Sequence, residues 1–101
     1  MHIQIINFRL KGVSEEDYAG LADELAPSYA AVPGLVRKVW LADSENGVYG
    51  GVYVWQDRQA MEDFAQTELN KSVATHPNLD DVTSTDFGVL LGPTAVTRGS
   101  I

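Results

Sequence analysis

The chain has no cysteine among its 101 residues. A disulfide framework and a thiolate metal site are both excluded, and the absence accords with a reducing compartment. Histidine is nearly as scarce. His2 and His76 are the only two, which gives no basis for a histidine-rich metal site. Positive charge is also short. Seven Lys and Arg stand against 14 Asp and Glu, for a formal net charge of −7. Such a surface repels a phosphate backbone, so nucleic acid is not expected as a partner. No apolar run approaches the ~20 residues of a membrane span. Met1 is not followed by a basic segment, an apolar run and a small-residue cleavage site. No nucleophile elbow, phosphate loop or dinucleotide fingerprint is present. These absences predict a cytoplasmic single domain over residues 1–101 that contacts neither membrane nor nucleic acid and has no cofactor of its own.

The stretch Val48-Tyr49-Gly50-Gly51-Val52-Tyr53-Val54-Trp55 has no polar face. Alternation puts Val48, Val52 and Val54 on one side and Tyr49, Tyr53 and Trp55 on the other. A strand with one solvated face alternates apolar with polar residues. This one needs cover on both sides, and one of them is walled with rings.

Residues 2–10 and 35–42 read as two more strands, rich in β-branched and aromatic residues. Asn46-Gly47 between 35–42 and 48–55 is a hairpin signal. Ser14 caps a first helix, with Glu15, Glu16 and Asp17 at its positive end and Tyr18, Leu21, Ala22 and Leu25 as its buried stripe. Pro27 interrupts it, as a kink or as the start of a fresh last turn that Tyr29, Ala30 and Val32 continue. Asp57 caps a second helix from 58 to about 72, with Ala60, Met61, Phe64, Ala65 and Leu69 as its stripe. Residues 81–91 supply a fourth strand, and the tail from about 92 to 101 is irregular. The order strand, helix, strand, strand, helix, strand is the split βαβ, ferredoxin-like α+β arrangement: an antiparallel sheet with both helices on one face. The other face is left bare and apolar. A homodimer whose sheets pack face to face, as a barrel, covers it.

Pro-Gly-Leu at 33–35, Lys-Val-Trp at 38–40, Gly-Gly-Val-Tyr at 50–53 and the acidic helix start after Trp55 resemble the YdhR-like monooxygenase family. That family lies in the dimeric α+β barrel superfamily, beside antibiotic-biosynthesis and heme-degrading monooxygenases. The likeness runs from about residue 8 to 92. It implies cofactor-independent oxygenation of a small aromatic or quinol-like molecule between sheet and helices. Trp55 resembles the cavity-facing Trp of quinone-forming members, and Asn7 their first-strand Asn. Met61 stands where their substrate Tyr is found, and Gly51 where they have an Asn. Those losses favour a non-catalytic binding protein of the same fold as the alternative. Heme-degrading members, the third possibility, are matched at Asn7. Phe64 replaces their Trp, and His76 lies two residues beyond the position of their axial ligand.

The residues themselves give candidate roles. Asn7 orients a substrate carbonyl or an oxygen intermediate, and Trp55 and His76 act beside it, His76 as a base. Trp40, Tyr49, Tyr53, Met61 and Phe64 contact a flat substrate, with Gly50 and Gly51 leaving room. Arg37 and Lys38 alternate along their strand, so one of them faces the cleft and holds an enolate or phenolate charge, with Asp86 as its counter-ion.

Overall fold

A computed structural model describes residues 1–100. Its sheet has four antiparallel strands in the order β2-β3-β1-β4. They are β1 (His2–Leu10), β2 (Leu35–Asp43), β3 (Val48–Trp55) and β4 (Leu79–Gly88). Helix α1 (Glu15–Ala30) links β1 to β2, while α2 (Arg58–Ala65) and α3 (Glu68–Ala74) link β3 to β4. A short α4 (Leu91–Val96) follows β4. This is the ferredoxin-like α+β arrangement.

Local chemistry sets the boundaries. Ser14 Oγ accepts the Asp17 N–H at 3.0 Å, closing the start of α1. The helix runs through Pro27 to Ala30. The hairpin loop is pinned by Asp43, whose carboxylate accepts from the Asn46 backbone N–H (3.1 Å) and the Asn46 side-chain amide (2.9 Å). The side-chain amide, then the backbone N–H, holds the Asp43 carboxyl below its ordinary range. Asp57 Oδ1 caps α2 by accepting the Ala60 N–H at 2.8 Å.

Three expectations are corrected. The second helix is not continuous to about residue 72. Thr67 Oγ1 donates to the Phe64 carbonyl (2.7 Å) and accepts the Asn70 N–H (3.2 Å), which ends α2 and caps a new helix. The fourth strand begins at Leu79 and ends at Gly88, earlier than 81–91 at both ends. Its β1 register shifts between Asn7 and Arg9, and Asp81 has φ 50°. The tail expected to be irregular contains α4 and returns across the sheet, where Arg37 Nη2 donates to the Gly99 carbonyl at 3.0 Å.

Strand register separates the two sheet faces. Tyr53 pairs with Gln4 and with Lys38, and Gly51 with Ile6 and Trp40. Paired residues share a face, so these lie together with Tyr49 and Trp55 on the side where the helices pack. Asn7, Ile3, Ile5, Arg37, Val39 and Val52 take the opposite face. The buried core is on the helix side. Tyr29, Tyr53, Trp55 and Phe64 form one cluster, with Met61, Leu25 and Trp40 packed against it. Gly50 is where β3 comes closest to β1: a Cβ there would lie 1.8 Å from the Ile6 carbonyl oxygen, at φ 156°. No other residue fits.

Candidate functional site

A cavity of about 170 Å³ lies between the helices and the sheet. Its size is close to the ~150 Å³ apolar cavity that takes benzene, so it suits one ring or two fused rings. The sheet supplies Ile6, Phe8, Lys38, Trp40 and Tyr53. Helix α1 adds Tyr18, Leu21, Leu25 and Tyr29, and the α3 side adds Asn70, Val73 and His76. The lining is mostly apolar, with few polar atoms to orient a ligand.

Lys38 is the most unusual of them. Its Nζ sits 3.4 Å from the ring centroids of both Tyr29 and Trp40 and 4.6 Å from that of Tyr53. The rings brace one another: Tyr29 meets Trp40 edge-on at 5.3 Å, and Tyr53 lies 6.2 Å from Tyr29. Among the described residues Lys38 is in no ion pair. Burial pulls its ammonium down to about 7. The cation–π contacts favour the charged form, but they do not replace the lost water. Gly51 is part of the reason the lysine fits: a Cβ there would come within 2.9 Å of Lys38 Cε. The room expected to open at Gly51 is therefore filled by the Lys38 stem.

Burial also raises the surrounding phenols. Tyr18 is pushed up to about 12. Tyr53 and Tyr29 are raised as well, chiefly by burial, and their rings lie 6.2 Å apart. All three are neutral at physiological pH and cannot serve as Lys38's counter-ion. Asp86 does not serve either. It lies on β4, at the other edge of the sheet, and pairs with His2 Nε2 at 2.6 Å.

His76 lines the cavity from the turn after α3. Its Nδ1 accepts the Asn78 backbone N–H at 3.1 Å. With Nδ1 so engaged, the proton of the neutral ring is on Nε2. Lys38 lies on one edge strand, β2, and His76 just ahead of the other, β4.

The remaining candidates lie elsewhere. Asn7 is between Ile6 and Phe8, both of which line the cavity, so its side chain is directed to the other face of the sheet. Trp55 is fully buried, stacked on Tyr53 (interplanar angle 6°) and against Phe64. Its Nε1 donates to Gln4 Oε1 at 3.0 Å, and Gln4 Nε2 donates to Ser84 Oγ at 3.1 Å. Trp55 and Phe64 form the floor behind the cavity wall, and Met61 packs beside them. Tyr49 donates to Glu15 at 2.8 Å, which also accepts from Ser44. That cluster ties the hairpin to α1 and lies outside the cavity lining. Gln4 and Tyr29 were given no role in the site from sequence. The signal for Gln4 was its place two residues from Ile6 on the ring-bearing face. For Tyr29 it was a helical spacing continued past Pro27.

Two cofactor classes can be tested on this geometry. Among the described residues no three His, Cys, Asp or Glu side chains converge on a metal position. A tetrapyrrole is larger than the cavity of about 170 Å³, so the cavity as it stands does not enclose a heme.

The fold has known relatives. The heme-degrader MhuD from Mycobacterium tuberculosis, solved with two hemes bound in its active site, is similar over 90% of this chain and 97% of its own, with 17% identity and a TM-score of 0.72. SnoaB, a cofactor-independent oxygenase from Streptomyces nogalater, is similar over 87% and 92%, with 16% identity and a TM-score of 0.68. An antibiotic biosynthesis monooxygenase is similar over 89% and 99%, with 18% identity and a TM-score of 0.72. At such identities the likeness establishes the fold alone. No curated protein sequence matches the chain. The family model described as "Putative mono-oxygenase ydhR" matches residues 3–100, nearly the whole length, and on that match the chain belongs to the ydhR family.

Proposed function

We propose that this chain is a cofactor-independent monooxygenase acting on a phenolic, quinol-like molecule of one or two rings held in the cavity. Membership of the ydhR family supplies the reaction class. The observation that carries the finer reading is Lys38: an amine in a ring-walled, apolar cavity with no carboxylate paired to it among the described residues. Near neutral pH a substantial fraction of such amines is unprotonated, which suits a general base.

In this reading a substrate ring stacks against Trp40 and Tyr53 with its hydroxyl towards Lys38. Nζ takes the phenolic proton, and the resulting ammonium holds the phenolate. The electron-rich ring reduces O₂ directly. One oxygen atom replaces the hydrogen on the para carbon as a quinone carbonyl, and the other leaves as water. Phenol plus O₂ gives quinone plus water, so no outside reductant is needed. His76 Nε2–H, on the α3 side of the cavity, donates to the oxygen that develops there. The apolar walls keep water away from the intermediate.

The subunit arrangement belongs to the same proposal. The second sheet face carries Ile3, Ile5, Val39 and Val52, with Val39 53% and Phe87 56% exposed. Burial at roughly 25 cal/mol per Å² favours covering it with a second copy.

Oxygen uptake with 1-naphthol and with naphthalenediols that carry hydrogen on the para carbon, such as 1,5-naphthalenediol, is the test. The expected result is uptake that requires the protein and falls at least ~100-fold in Lys38→Met. Melting shifts with the same compounds and no uptake would make this a binding protein and end the oxygenase reading.

A further inference from the structure

The chain has three lysines, and Lys11 and Lys71 are both exposed. Lys38 alone lines the cavity, with Nζ held against two ring faces and no hydrogen bond or ion pair among the described residues. We propose that Lys38 Nζ captures aromatic aldehydes and ketones of one or two rings as reversible imines inside this cavity, an activity that requires no oxygen.

The chemistry balances within the site. The Nζ lone pair adds to the carbonyl carbon, and a proton moves from nitrogen to oxygen to give a carbinolamine. The hydroxyl then leaves as water, and a C=N bond forms. The protonated imine is a cation, and the Tyr29, Trp40 and Tyr53 rings that surround the ammonium stabilise it in the same way. A carbonyl compound of this size stacks on the same rings, so the electrophile is brought to the nitrogen rather than met by chance. The apolar walls favour loss of water over its return. Among the described residues, the other titratable groups facing Nζ or lining the cavity are Tyr18, Tyr29, Tyr53 and His76. None is a carboxylate that would lock the amine as an ammonium ion.

Burial sharpens the contrast with the other lysines. With its pKa brought down to about 7 by burial, Lys38 has a substantial neutral fraction at pH 7. An ordinary lysine of pKa ~10.4 is neutral roughly once in 2,500. The competing amine is the Met1 α-amino group, which lies outside the cavity lining.

The test is incubation of the whole protein with 2-naphthaldehyde and cyanoborohydride at pH 7, followed by peptide mapping. The expected result is a stable adduct on Lys38 that exceeds adducts on Lys11 and Lys71 by roughly tenfold or more. It should be suppressed when 2-naphthol, which competes for the cavity, is added first. Adducts spread over Lys11, Lys71 and Met1, with Lys38 no higher, would overturn the proposal. So would a Lys38 adduct that 2-naphthol does not reduce. The mapping uses the wild-type protein, so it stands even if Lys38→Met fails to fold. It is also independent of oxygen uptake: a protein that consumes no O₂ but labels at Lys38 separates the two activities.

Discussion

The two faces of the sheet are made from the same four strands, and alternate residues give them opposite characters. On the helix side, Phe8, Trp40, Tyr49, Tyr53 and Trp55 meet rings from the helices at tilted and edge-on angles. On the other side the residues are chiefly aliphatic, and Val39 and Phe87 are more than half exposed. Rings are rigid and fill space in large, directional units, so a layer of them leaves unfilled volume beside a well-packed core. Aliphatic side chains instead make a surface suited to burial against another surface. A period of two along one strand thus encodes a cavity on one face and a docking surface on the other.

The sharpest test of the ring-bearing face is its buried anchor. Trp55→Ala removes a fully buried side chain and leaves Gln4 Oε1 without its donor. The expected loss is about 3–5 kcal/mol in urea denaturation. That is a large share of the ~5–15 kcal/mol available to a small domain. A loss below ~1.5 kcal/mol would mean that the rings are not what holds this face together.

The aliphatic face is tested by a charge. Val39→Glu on an isolated subunit alters an exposed position and should change stability by less than ~0.5 kcal/mol. If this face is buried in a dimer, the same change buries an unpaired carboxylate at a cost of several kcal/mol. Light scattering should then show a shift from dimeric to monomeric mass with the melting temperature of the monomer little altered. A wild-type mass already monomeric at micromolar concentration would remove the dimer from the proposal.

Much of this contrast was legible in the sequence. The Val/Tyr alternation of residues 48–55 reports both faces, and Ser14, Asp57 and the Asn46-Gly47 turn fix element boundaries through local hydrogen bonds. What was not legible depended on register and on long-range closure. Whether Arg37 or Lys38 faces the helices depends on the shift between Leu35 and Arg37 in the β2–β3 pairing. The break at Thr67 comes from a hydroxyl that uses donor and acceptor at once, against an unbroken apolar stripe. Asn7 drew attention as an amide among apolar residues. Its alternation with Ile6 and Phe8 was visible, but not which of the two faces would be closed by helices. Tyr29 lies on the far side of Pro27, where a proline that interrupts a helix and one that merely sits in it look alike.

Lys38 also marks the ring-bearing face in its pH response. Its folded pKa is below that of an unfolded lysine, so the unfolded chain binds more protons between about pH 7 and 10.4. Stability contributed through this group therefore rises with pH across that window and is at its lowest below pH 7. Lys38→Met should be more stable than wild type at pH 6 by on the order of 1 kcal/mol, a figure reduced for the lysine's partial exposure. The gap should narrow by pH 9, still below the range in which the raised tyrosines titrate. A gap that stays constant from pH 6 to 9 would show that the amine is fully solvated and that the cage does not exclude water.

The smallest expected effect is the most discriminating between the faces. Asn7 sits on the strand nearest the centre of the cavity wall, yet its side chain is on the aliphatic side, opposite Gly50. If the chemistry occupies the helix-side cavity, Asn7→Ala should leave kcat/KM for an oxidised naphthalenediol within about threefold, or roughly 0.7 kcal/mol, of wild type. The control is Lys38→Met, which acts from the other side of the same sheet. A tenfold or larger loss in Asn7→Ala, with the melting temperature unchanged, would place reacting atoms between the two sheets of a dimer. The cavity beside Lys38 would then be a structural void, and the face that reads as a docking surface would be the one that does the chemistry.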